Sequence, residues 1–396
     1  MRVLLLTQVV PYPLDSGAKI KTWNVLRCLA TRHEVTLVSF ARGESRAMLD
    51  HVARYCRAVH TVPMRRTWTA DLYHLARSVA RGESFLMLRD ERAAMRRLVD
   101  QVARETPFDV VHADQLNMAP YALRVPGARR VLDLHNALWV VYKQLAETVR
   151  VPTLRALWQR EWPRLRAYEA HMCRTFDTVL AVSETDKADL EDAAGTSLAA
   201  TVIPIAIDTA HNAPITRRPD ADHLLHLGTM QWPPNVDAVD WFAHAIWPHI
   251  RAGAPRAQCD VVGARPPRRI RNLGARVPGI NVTGYVDDPT PYLQGAAVMV
   301  APLRAGSGMR VKILEAMARQ IPIVSTTVGC GGIAVEHGQH LLMADDAHEL
   351  AAACLRILND PSLAARLGRT GRALVETHYS IGTVGDRLLG VYERLT

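Results

Sequence analysis

Short apolar runs alternate along the chain with longer segments of mixed polarity, and several of the runs are nearly continuous in Val, Ile and Leu. Runs of this kind are typical of parallel strands that helices cover on both faces. In the first half of the chain the pattern predicts strands at residues 2–6, 35–38, 110–112, 131–134, 178–182 and 201–203. Because the intervening segments have the length of helices, we predict an α/β fold with a parallel sheet.

A second set of alternating segments follows a break in this pattern. The periodicity fades between residues 207 and 222, where Pro214, Arg217, Arg218 and Pro219 occur, so we predict a linker there. Strands are predicted again at residues 223–227, 259–262, 281–283, 297–301, 321–325 and 341–343, and helices at residues 347–358, 363–377 and 381–395. Two α/β domains follow, and facing sheets of this class bind ligands in a cleft beyond the carboxyl ends of their strands.

Residues 139–176 form one long amphipathic segment that is rich in Arg and Glu. We predict one or two helices here. Pro152 and Pro163 are the expected breaks, because proline removes a backbone donor and clashes with the preceding turn.

The composition is that of a soluble globular enzyme. The 396 residues exceed the usual size of one domain, and 48% of them are hydrophobic and 22% charged. The apolar residues 1–10 are interrupted by Gln8 and ended by Pro11, so they are too short for a membrane span and lack the features of a signal peptide. The cysteines are scattered, without a C-x-x-C pair or a metal-ligand spacing. We therefore expect a cytoplasmic protein with reduced thiols.

The charge of the chain is asymmetric. Most of the formal net charge of +9 comes from the first half, and arginines are concentrated between residues 65 and 97. A basic face favours contact with an anionic membrane surface or an acidic acceptor, and hence a peripheral position at the inner face of the membrane. An arginine-rich composition without a special partner is the alternative. Nucleic acid is not a predicted partner, because no helix-turn-helix, zinc-finger or RNA-binding aromatic pattern is present.

The segment of residues 306–318 carries the clearest chemical signal. A glycine-rich loop precedes a predicted helix that begins with two cations, Arg310 and Lys312, and Glu315 follows one turn later. A helix N-terminus with added positive charge attracts phosphate, and a carboxylate accepts hydrogen bonds from hydroxyl groups. The segment therefore predicts a site for a nucleoside diphosphate and its ribose. The alternative is an ordinary surface loop that precedes an amphipathic helix.

Six passages together resemble one family, namely residues 227–237, 283–288, 306–318 and 329–333 in the second half, and residues 13–18 and 133–136 in the first. Tyr379 and Ser380 are similar to the point where the chain of that family crosses back to its first domain. These are features of the retaining GT-B glycosyltransferases of family 4 (glycosyl transferase group 1), in particular the branch that builds bacterial polysaccharides and related glycoconjugates. The resemblance covers nearly the whole chain.

The resemblance implies a GT-B fold, in which two Rossmann-like domains with parallel sheets face each other across a cleft. Residues 1–206 would form the acceptor-binding domain, residues 207–222 the linker, and residues 223–378 the donor-binding domain. Residues 379–396 would form a C-terminal helix that packs back on the first domain.

The resemblance also implies roles for individual residues. The nucleotide sugar would be bound by Gly17, Gly228, Thr229, Val286, Gly306, Ser307, Gly308, Met309, Arg310, Lys312 and Glu315. The acceptor would be bound by Asp15, Ser16, His135 and Asn136, and the catalytic residues would be His135, Arg310 and Lys312. A plain turn at Asp15 to Gly17 and a buried structural His135 are the alternatives. His112 and Asp114, at another strand end, rank below them, and no metal site is predicted.

The chain departs from the family pattern at three places. The family often has two glutamates separated by seven residues, and Ser307 occupies the first position here while Glu315 fits the second. The Arg and Lys that are usual after the first strand of the donor domain are missing, and Thr229 and Asn235 lie in that region, so Arg310 and Lys312 would supply the charge for the diphosphate. Ile205 and Ala206 replace the common Asn-Gly before the linker.

The implied activity is that of a hexosyltransferase-type enzyme. It would move a sugar from a nucleotide sugar, a UDP-sugar by default and a GDP-sugar as the alternative, to a hydroxyl group on a sugar, lipid-linked or small-molecule acceptor. The reaction would retain the anomeric configuration without a metal or other cofactor. The rival interpretations are an epimerase of the same fold and a non-catalytic protein that binds sugar nucleotides. A Rossmann dehydrogenase is disfavoured, because no full G-x-G-x-x-G follows the first strand.

Overall fold

The computed structural model describes residues 1–149, 151–218, 222–230 and 232–395. The chain forms two compact units. The first unit consists of Met1–Ala206 together with the residues from Val384 onward, and the second unit is Ile207–Thr383.

The first unit is built on a seven-stranded parallel sheet with the strand order β3-β2-β1-β4-β5-β6-β7. Its strands are β1 (Arg2–Thr7), β2 (Glu34–Ala41), β3 (Ala58–Pro63), β4 (Val110–Asp114), β5 (Arg129–Asp133), β6 (Thr178–Ala181) and β7 (Ala200–Val202). Its helices are α1 (Gly17–Leu29), α2 (Arg46–Ala53), α3 (Trp68–Arg81), α4 (Phe85–Leu88), α5 (Ala93–Glu105), α6 (Ala119–Ala122), α7 (Leu138–Thr148), α8 (Pro152–Thr175) and α9 (Glu184–Ala194). The central strands are buried on both faces, as their apolar sequences predict.

The second unit contains a six-stranded parallel sheet with the order β10-β9-β8-β11-β12-β13. Its strands are β8 (His223–Leu227), β9 (Cys259–Val262), β10 (Ile280–Gly284), β11 (Ala296–Ala301), β12 (Ile323–Ser325) and β13 (Leu342–Met343). Its helices are α10 (Pro233–Trp241), α11 (Trp247–Gly253), α12 (Arg268–Arg271), α13 (Leu273–Arg276), α14 (Thr290–Gly295), α15 (Val311–Ala318), α16 (Ala347–Asn359) and α17 (Pro361–His378).

The last helix, α18 (Ile381–Glu393), begins at the boundary of the second unit and continues into the first. Within the first unit, the backbone carbonyl of Gly385 accepts a hydrogen bond from Sγ of Cys28 at 3.3 Å. Glu393, near the end of α18, forms an ion pair with Arg32 at 2.8 Å. These contacts attach the C-terminal residues to α1 and to the loop that follows it.

The segment that the sequence marked as a linker runs along the second unit. Arg372 of α17 donates hydrogen bonds to the carbonyl oxygens of Thr209 and Asn212, at 3.2 and 2.7 Å. The backbone N–H of Ile215 donates to the carbonyl of Arg319 at 3.1 Å. Pro219 of this segment, and Gln231 of the passage 227–237, lie outside the described residues.

One strand was missed, and one predicted helix break was wrong. Strand β3 was not predicted, because it is a half-buried edge strand and its sequence includes polar residues. Pro163 does not break α8, which runs without interruption from Pro152. On either side of Pro163, Arg160 and Arg164 donate hydrogen bonds to backbone carbonyls near the end of α3, at 2.9 and 3.1 Å. Tertiary contacts of this kind offset the cost of the backbone hydrogen bond that proline cannot make.

Candidate active site

The loop between β11 and α15 is organised by two glycines and one arginine. Gly306 and Gly308 have φ angles of 140° and 77°, a region in which other residues are strained. A Cβ atom on Gly306 would lie 2.2 Å from Nη2 of Arg310. Nη1 of Arg310 donates to the carbonyl oxygens of Ser307 and Gly308, at 2.6 and 2.5 Å. Arg310 therefore stabilises the loop, and it also brings positive charge to the N-terminus of α15, where no side chain caps the helix.

Lys312 lies in the first turn of α15 and is half-buried. Its Nζ is 3.3 Å from Oδ1 of Asn235, and Nδ2 of Asn235 donates to the carbonyl of Thr229 at 2.9 Å. Burial, with a further contribution from the charge of Arg310, lowers the pKa of Lys312 to about 7. The ammonium group therefore lies where its positive charge is poorly solvated.

Gly228 provides the space beside this lysine. A Cβ atom on Gly228 would lie 2.9 Å from Nδ2 of Asn235 and 3.2 Å from Nζ of Lys312. The fold thus brings together the loop after β8 and the start of α15, which are far apart in the sequence. Gly263 also contributes to this close approach, although the sequence did not reveal it. A Cβ atom on Gly263 would lie 1.8 Å from the carbonyl oxygen of Gly228.

Glu315 lies one turn further along α15 and is also half-buried. Burial raises the pKa of its carboxyl group, and the nearby Arg319 partly offsets this effect. Within the described parts of the chain, no backbone or side-chain group donates a hydrogen bond to this carboxylate. The carboxylate is therefore desolvated without a protein hydrogen-bond donor, which is typical of a residue that binds a ligand.

Val286 is half-buried in the turn that follows β10. Gly284, at the end of that strand, has a φ angle of 78°, and its carbonyl accepts a hydrogen bond from the backbone N–H of Gly263 at 2.9 Å. The backbone N–H of Gly228 donates to the carbonyl of Val262 at 3.0 Å. The ends of β8, β9 and β10 are therefore joined through glycine backbones at the carboxyl edge of the sheet.

Buried polar groups meet at the corresponding edge of the first sheet. His112 and Asp114 of β4 and Asp133 of β5 are each fully buried, and one potential ligand atom from each lies within 4.8 Å of the others. Lys21 of α1 donates to Oδ1 of Asp133 in a short hydrogen bond. Burial opposes ionisation of Asp133, but Lys21, His112 and His135 together outweigh burial and hold the pKa of Asp133 well below its usual range.

The remaining members of this cluster are also paired. Thr22 of α1 donates a hydrogen bond to Oδ2 of Asp114 at 2.8 Å. Nδ1 of His112 lies 2.7 Å from the hydroxyl of Tyr392, which is on α18. Each carboxylate of the cluster is therefore engaged by a protein group, whereas Nε2 of His112 and Oδ2 of Asp133, 3.5 Å apart, make no hydrogen bond. Lys21, Thr22 and Tyr392 were missed from the sequence, in which polar residues on helices carry no distinguishing signal.

His135 lies at the border of this network, with 11% of its side chain exposed. Its Nε2 is 2.9 Å from Oδ1 of the fully buried Asp114, so the carboxylate fixes the orientation of the imidazole. Asn136 follows it and is half-buried. His135 thus presents one edge of its ring outside the network while the other edge is anchored.

Asp15, Ser16 and Gly17 follow β1 and begin α1, the helix that supplies Lys21 and Thr22. Asp15 forms an ion pair with Lys19 at 3.0 Å, and 43% of its side chain is exposed. Ser16 occupies the N-cap position of α1 without a side-chain capping bond. The residues predicted for the acceptor therefore all belong to the first unit, as does Gly17. The other residues predicted for the nucleotide sugar belong to the second unit.

Comparison with known proteins identifies two family models on this chain. The model described as "Glycosyltransferase Family 4" matches residues 16–211, and the model described as "Glycosyl transferases group 1" matches residues 221–360. Together they span most of both units.

Individual proteins agree with these matches. An "Uncharacterized 44.6 kDa protein in cps region" of Klebsiella pneumoniae is 21% identical over 362 residues, which cover 87% of this chain and 88% of that protein. A "GDP-mannose-dependent monoacylated alpha-(1-6)-phosphatidylinositol monomannoside mannosyltransferase" of Corynebacterium glutamicum is 29% identical over 157 residues, which are 37% of this chain and 41% of that protein.

A solved structure, Anabaena Alr3699/HepE in complex with UDP, shares the fold across the full length of both chains, with a TM-score of 0.68 and 15% sequence identity. The two parallel-sheet α/β units, the family matches and this likeness agree with one another. The chain belongs to the family 4, group 1 glycosyltransferases of the GT-B fold.

Proposed function

We propose that this glycosyltransferase moves a hexosyl group from a nucleotide sugar to a hydroxyl acceptor, with retention of anomeric configuration and without a metal ion. The second unit would bind the donor and the first unit the acceptor. One observation carries this proposal. Lys312 is half-buried beside Arg310, and burial together with the charge of Arg310 lowers the pKa of Lys312 to about 7. A poorly solvated cation that lies beside a second positive charge at a helix N-terminus is stabilised when a phosphate group binds there.

The donor would lie across the loop before α15 and its first two turns. Lys312 and the backbone N–H groups of the loop would contact the diphosphate, while Arg310 maintains the loop and adds charge. The carboxylate of Glu315, which has no described protein donor, would accept hydrogen bonds from the ribose hydroxyls. Gly228 would leave room for the phosphates beside Lys312, because a side chain there would collide with Asn235 and Lys312.

The acceptor would lie over the edge of the first sheet near His135. Because Asp114 holds one edge of the imidazole, the ring has a fixed direction in which to meet a sugar hydroxyl. Asp15, Ser16 and Asn136 would add further polar contacts. The buried network beneath His135 would keep this geometry rigid, since its members are paired with one another.

In the proposed reaction the bond between the anomeric carbon and the phosphate oxygen breaks, and the acceptor oxygen bonds to the anomeric carbon from the same face. The leaving phosphate oxygen takes the proton of the acceptor hydroxyl. Negative charge develops on the diphosphate, and the cation of Lys312 would stabilise it in the transition state. No step in this scheme requires a carboxylate nucleophile.

For the nucleoside of the donor we propose uridine, because the structural relative was solved with UDP. A GDP-sugar is the second candidate, supported by the partial match to a GDP-mannose-dependent mannosyltransferase. Calorimetric titration with UDP, GDP and their hexose conjugates distinguishes the two. A protein that binds neither nucleotide would contradict the proposal.

The activity is tested by supplying labelled UDP-hexoses together with a panel of sugar and lipid-linked acceptors, with and without EDTA. We expect a product whose anomeric configuration, read by NMR, equals that of the donor, at a rate that EDTA does not change. An inverted linkage or complete loss of rate in EDTA would contradict the mechanism. Isomerised donor in the absence of acceptor would instead favour the epimerase.

A further inference from the structure

Helix α3 exposes its apolar face and buries polar residues, which is the reverse of an ordinary surface helix. Its exposed face carries Trp68, Leu72, Tyr73 and Val79, which are 76%, 60%, 65% and 61% exposed. Because they recur at helical spacing, with Ala76 and Ala80 between them, they form one apolar face. A surface helix normally buries its apolar face and exposes its polar one, so this orientation requires an explanation.

The inner face of α3 is attached by polar contacts. Ser78 is fully buried, and its hydroxyl donates to the carbonyl of Glu83 at 2.7 Å. Arg160 of α8 donates to the hydroxyl and to the carbonyl oxygen of Ser78, at 3.2 and 2.9 Å. Arg77 reaches Glu91 at 3.5 Å. The fold thus anchors α3 through its polar residues and leaves the apolar face unused.

Further apolar side chains are exposed at the start of α8, the helix whose arginines reach the end of α3. Arg160 contacts Ser78, and Arg164 contacts Gly82 at 3.1 Å, so α3 and α8 run in the same direction with matched spacing. The start of α8 therefore lies toward the start of α3, and Val151 and Leu154 there are 50% and 43% exposed. Six of the nine large hydrophobic side chains that the described residues expose belong to these two helices or to Val151, the N-cap residue of α8. Such a concentration is not the usual scatter of single apolar residues on a surface.

Positive charge borders the apolar face at both ends. Arg65 and Arg66 precede α3 and Arg81 ends it, and Arg65 and Arg81 are exposed. From residue 64 to residue 82 the chain has four arginines and one acidic residue, Asp71. An apolar helix face with an aromatic residue and bordering arginines is the combination that inserts into the headgroup region of an anionic bilayer.

We propose that the apolar face of α3 docks this enzyme on an anionic lipid bilayer, with Val151 and Leu154 at its border. The dimensions favour lipid over a protein partner. From Trp68 to Val79 the face is about 16 Å long and one helix face wide. A stable protein interface needs about 800 Å² from each partner, which is more than one helix face offers. Among the described residues no helix has the length and apolar character to cross a membrane.

The experiment is vesicle sedimentation with the full chain, which measures lipid binding and not sugar transfer. Wild-type protein is mixed with vesicles of phosphatidylcholine alone and of phosphatidylcholine with phosphatidylglycerol. The test variant combines Trp68→Gln, Leu72→Gln and Val79→Gln, since glutamine keeps helix propensity. The matched control is Tyr285→Gln, which removes a 65% exposed aromatic residue from the second unit. Circular dichroism confirms that both variants are folded.

We expect wild-type protein and the control to bind the anionic vesicles, and the triple variant to bind at least tenfold more weakly. Charge is tested separately. Arg65→Gln with Arg81→Gln should weaken binding about fivefold per arginine at low salt. The pair Arg256→Gln and Arg276→Gln removes the same charge from exposed positions of the second unit and should have a smaller effect.

Depth of insertion is read from tryptophan fluorescence. Lipids brominated on the acyl chains should quench part of the emission of wild-type protein, and Trp68→Phe should remove that quenching. Equal binding by wild-type protein and the triple variant would overturn the proposal and indicate general attraction of a basic protein. Absence of wild-type binding to anionic vesicles would overturn it as well. So would a wild-type dimer that the triple variant abolishes, because the face would then bind a second copy of the chain.

Discussion

Replacement of Glu315 by glutamine should move donor affinity and protein stability in opposite directions. The carboxyl group is half-buried, burial raises its pKa, and no described residue donates a hydrogen bond to it. In the unliganded protein its ionised form is therefore a cost. Because the folded-state pKa is above the ordinary value of 4.5, the unfolded chain binds fewer protons, and the penalty appears as pH rises through the window above 4.5. The glutamine variant lacks this penalty.

In the nucleotide-bound protein the charge of Glu315 should be favourable instead of costly. If the carboxylate accepts hydrogen bonds from ribose hydroxyls, each charge-assisted bond contributes about 1.5–3 kcal/mol. Glu315→Gln keeps a neutral acceptor and should weaken UDP binding roughly tenfold, whereas Glu315→Ala should weaken it by up to roughly 150-fold. Isothermal titration calorimetry measures the affinity. Thermal unfolding of the free protein between pH 4.5 and 8 should show the glutamine variant at least as stable as wild type, with a difference that grows with pH.

The matched control is Glu336→Gln, at an exposed position of the same unit. It should change neither UDP affinity nor the pH dependence of unfolding. A glutamine variant of Glu315 that unfolds at lower temperature and binds UDP as tightly as wild type would refute the reasoning. That result would assign Glu315 a structural role and would remove the ribose contact from the proposed site.

Three further predictions concern the two sheet edges. Lys312→Met should weaken UDP binding tenfold or more. Wild-type protein should take up a proton when it binds UDP at pH 8, because the pKa of Lys312 is about 7 in the free protein and a bound phosphate raises it. Calorimetry in buffers of different ionisation enthalpy detects this uptake, which the variant should lack. Asp114→Asn should lower kcat by about 100-fold through loss of the orientation of His135, with unchanged UDP affinity, and a parallel loss of both would contradict a positioning role. Tyr392→Phe should reduce the free energy of unfolding by about 1–3 kcal/mol, because His112 loses its partner, and an unchanged urea midpoint would count against this network.

The strands were predictable because a strand buried on both faces must be apolar along its whole length. This holds for β11 and for the interior of β1, whereas β4 was recognised from its apolar start although it carries His112 and Asp114. It does not hold for β3, which pairs on one side only and was missed. The error at Pro163 has the same origin, because the sequence shows the missing backbone donor but not the contacts that stabilise the helix around it.

The candidate donor residues were found from local chemistry. Glycines before a helix, followed by two cations and a carboxylate, can be read directly from residues 306–315. The electrostatic state of these residues could not be read from the sequence. The low pKa of Lys312 depends on its burial and on the proximity of Arg310, and its contact with Asn235 joins segments 77 residues apart. The same limit applies to Lys21 and Tyr392, whose partners on β5 and β4 lie far away in the sequence.

By itself, the sequence determined the two parallel α/β units, most of their strands, and the passages that identify the family. It did so because burial on both faces and tight glycine turns restrict residue choice locally. Only the tertiary structure decided which face of each helix is covered. The pattern of α3 defines an apolar face and a polar face, and the usual rule would bury the apolar one. The contacts of Ser78 with Arg160 and Glu83 bury the polar face instead. Burial depends on which neighbours offer matching partners, and those neighbours come from distant parts of the chain.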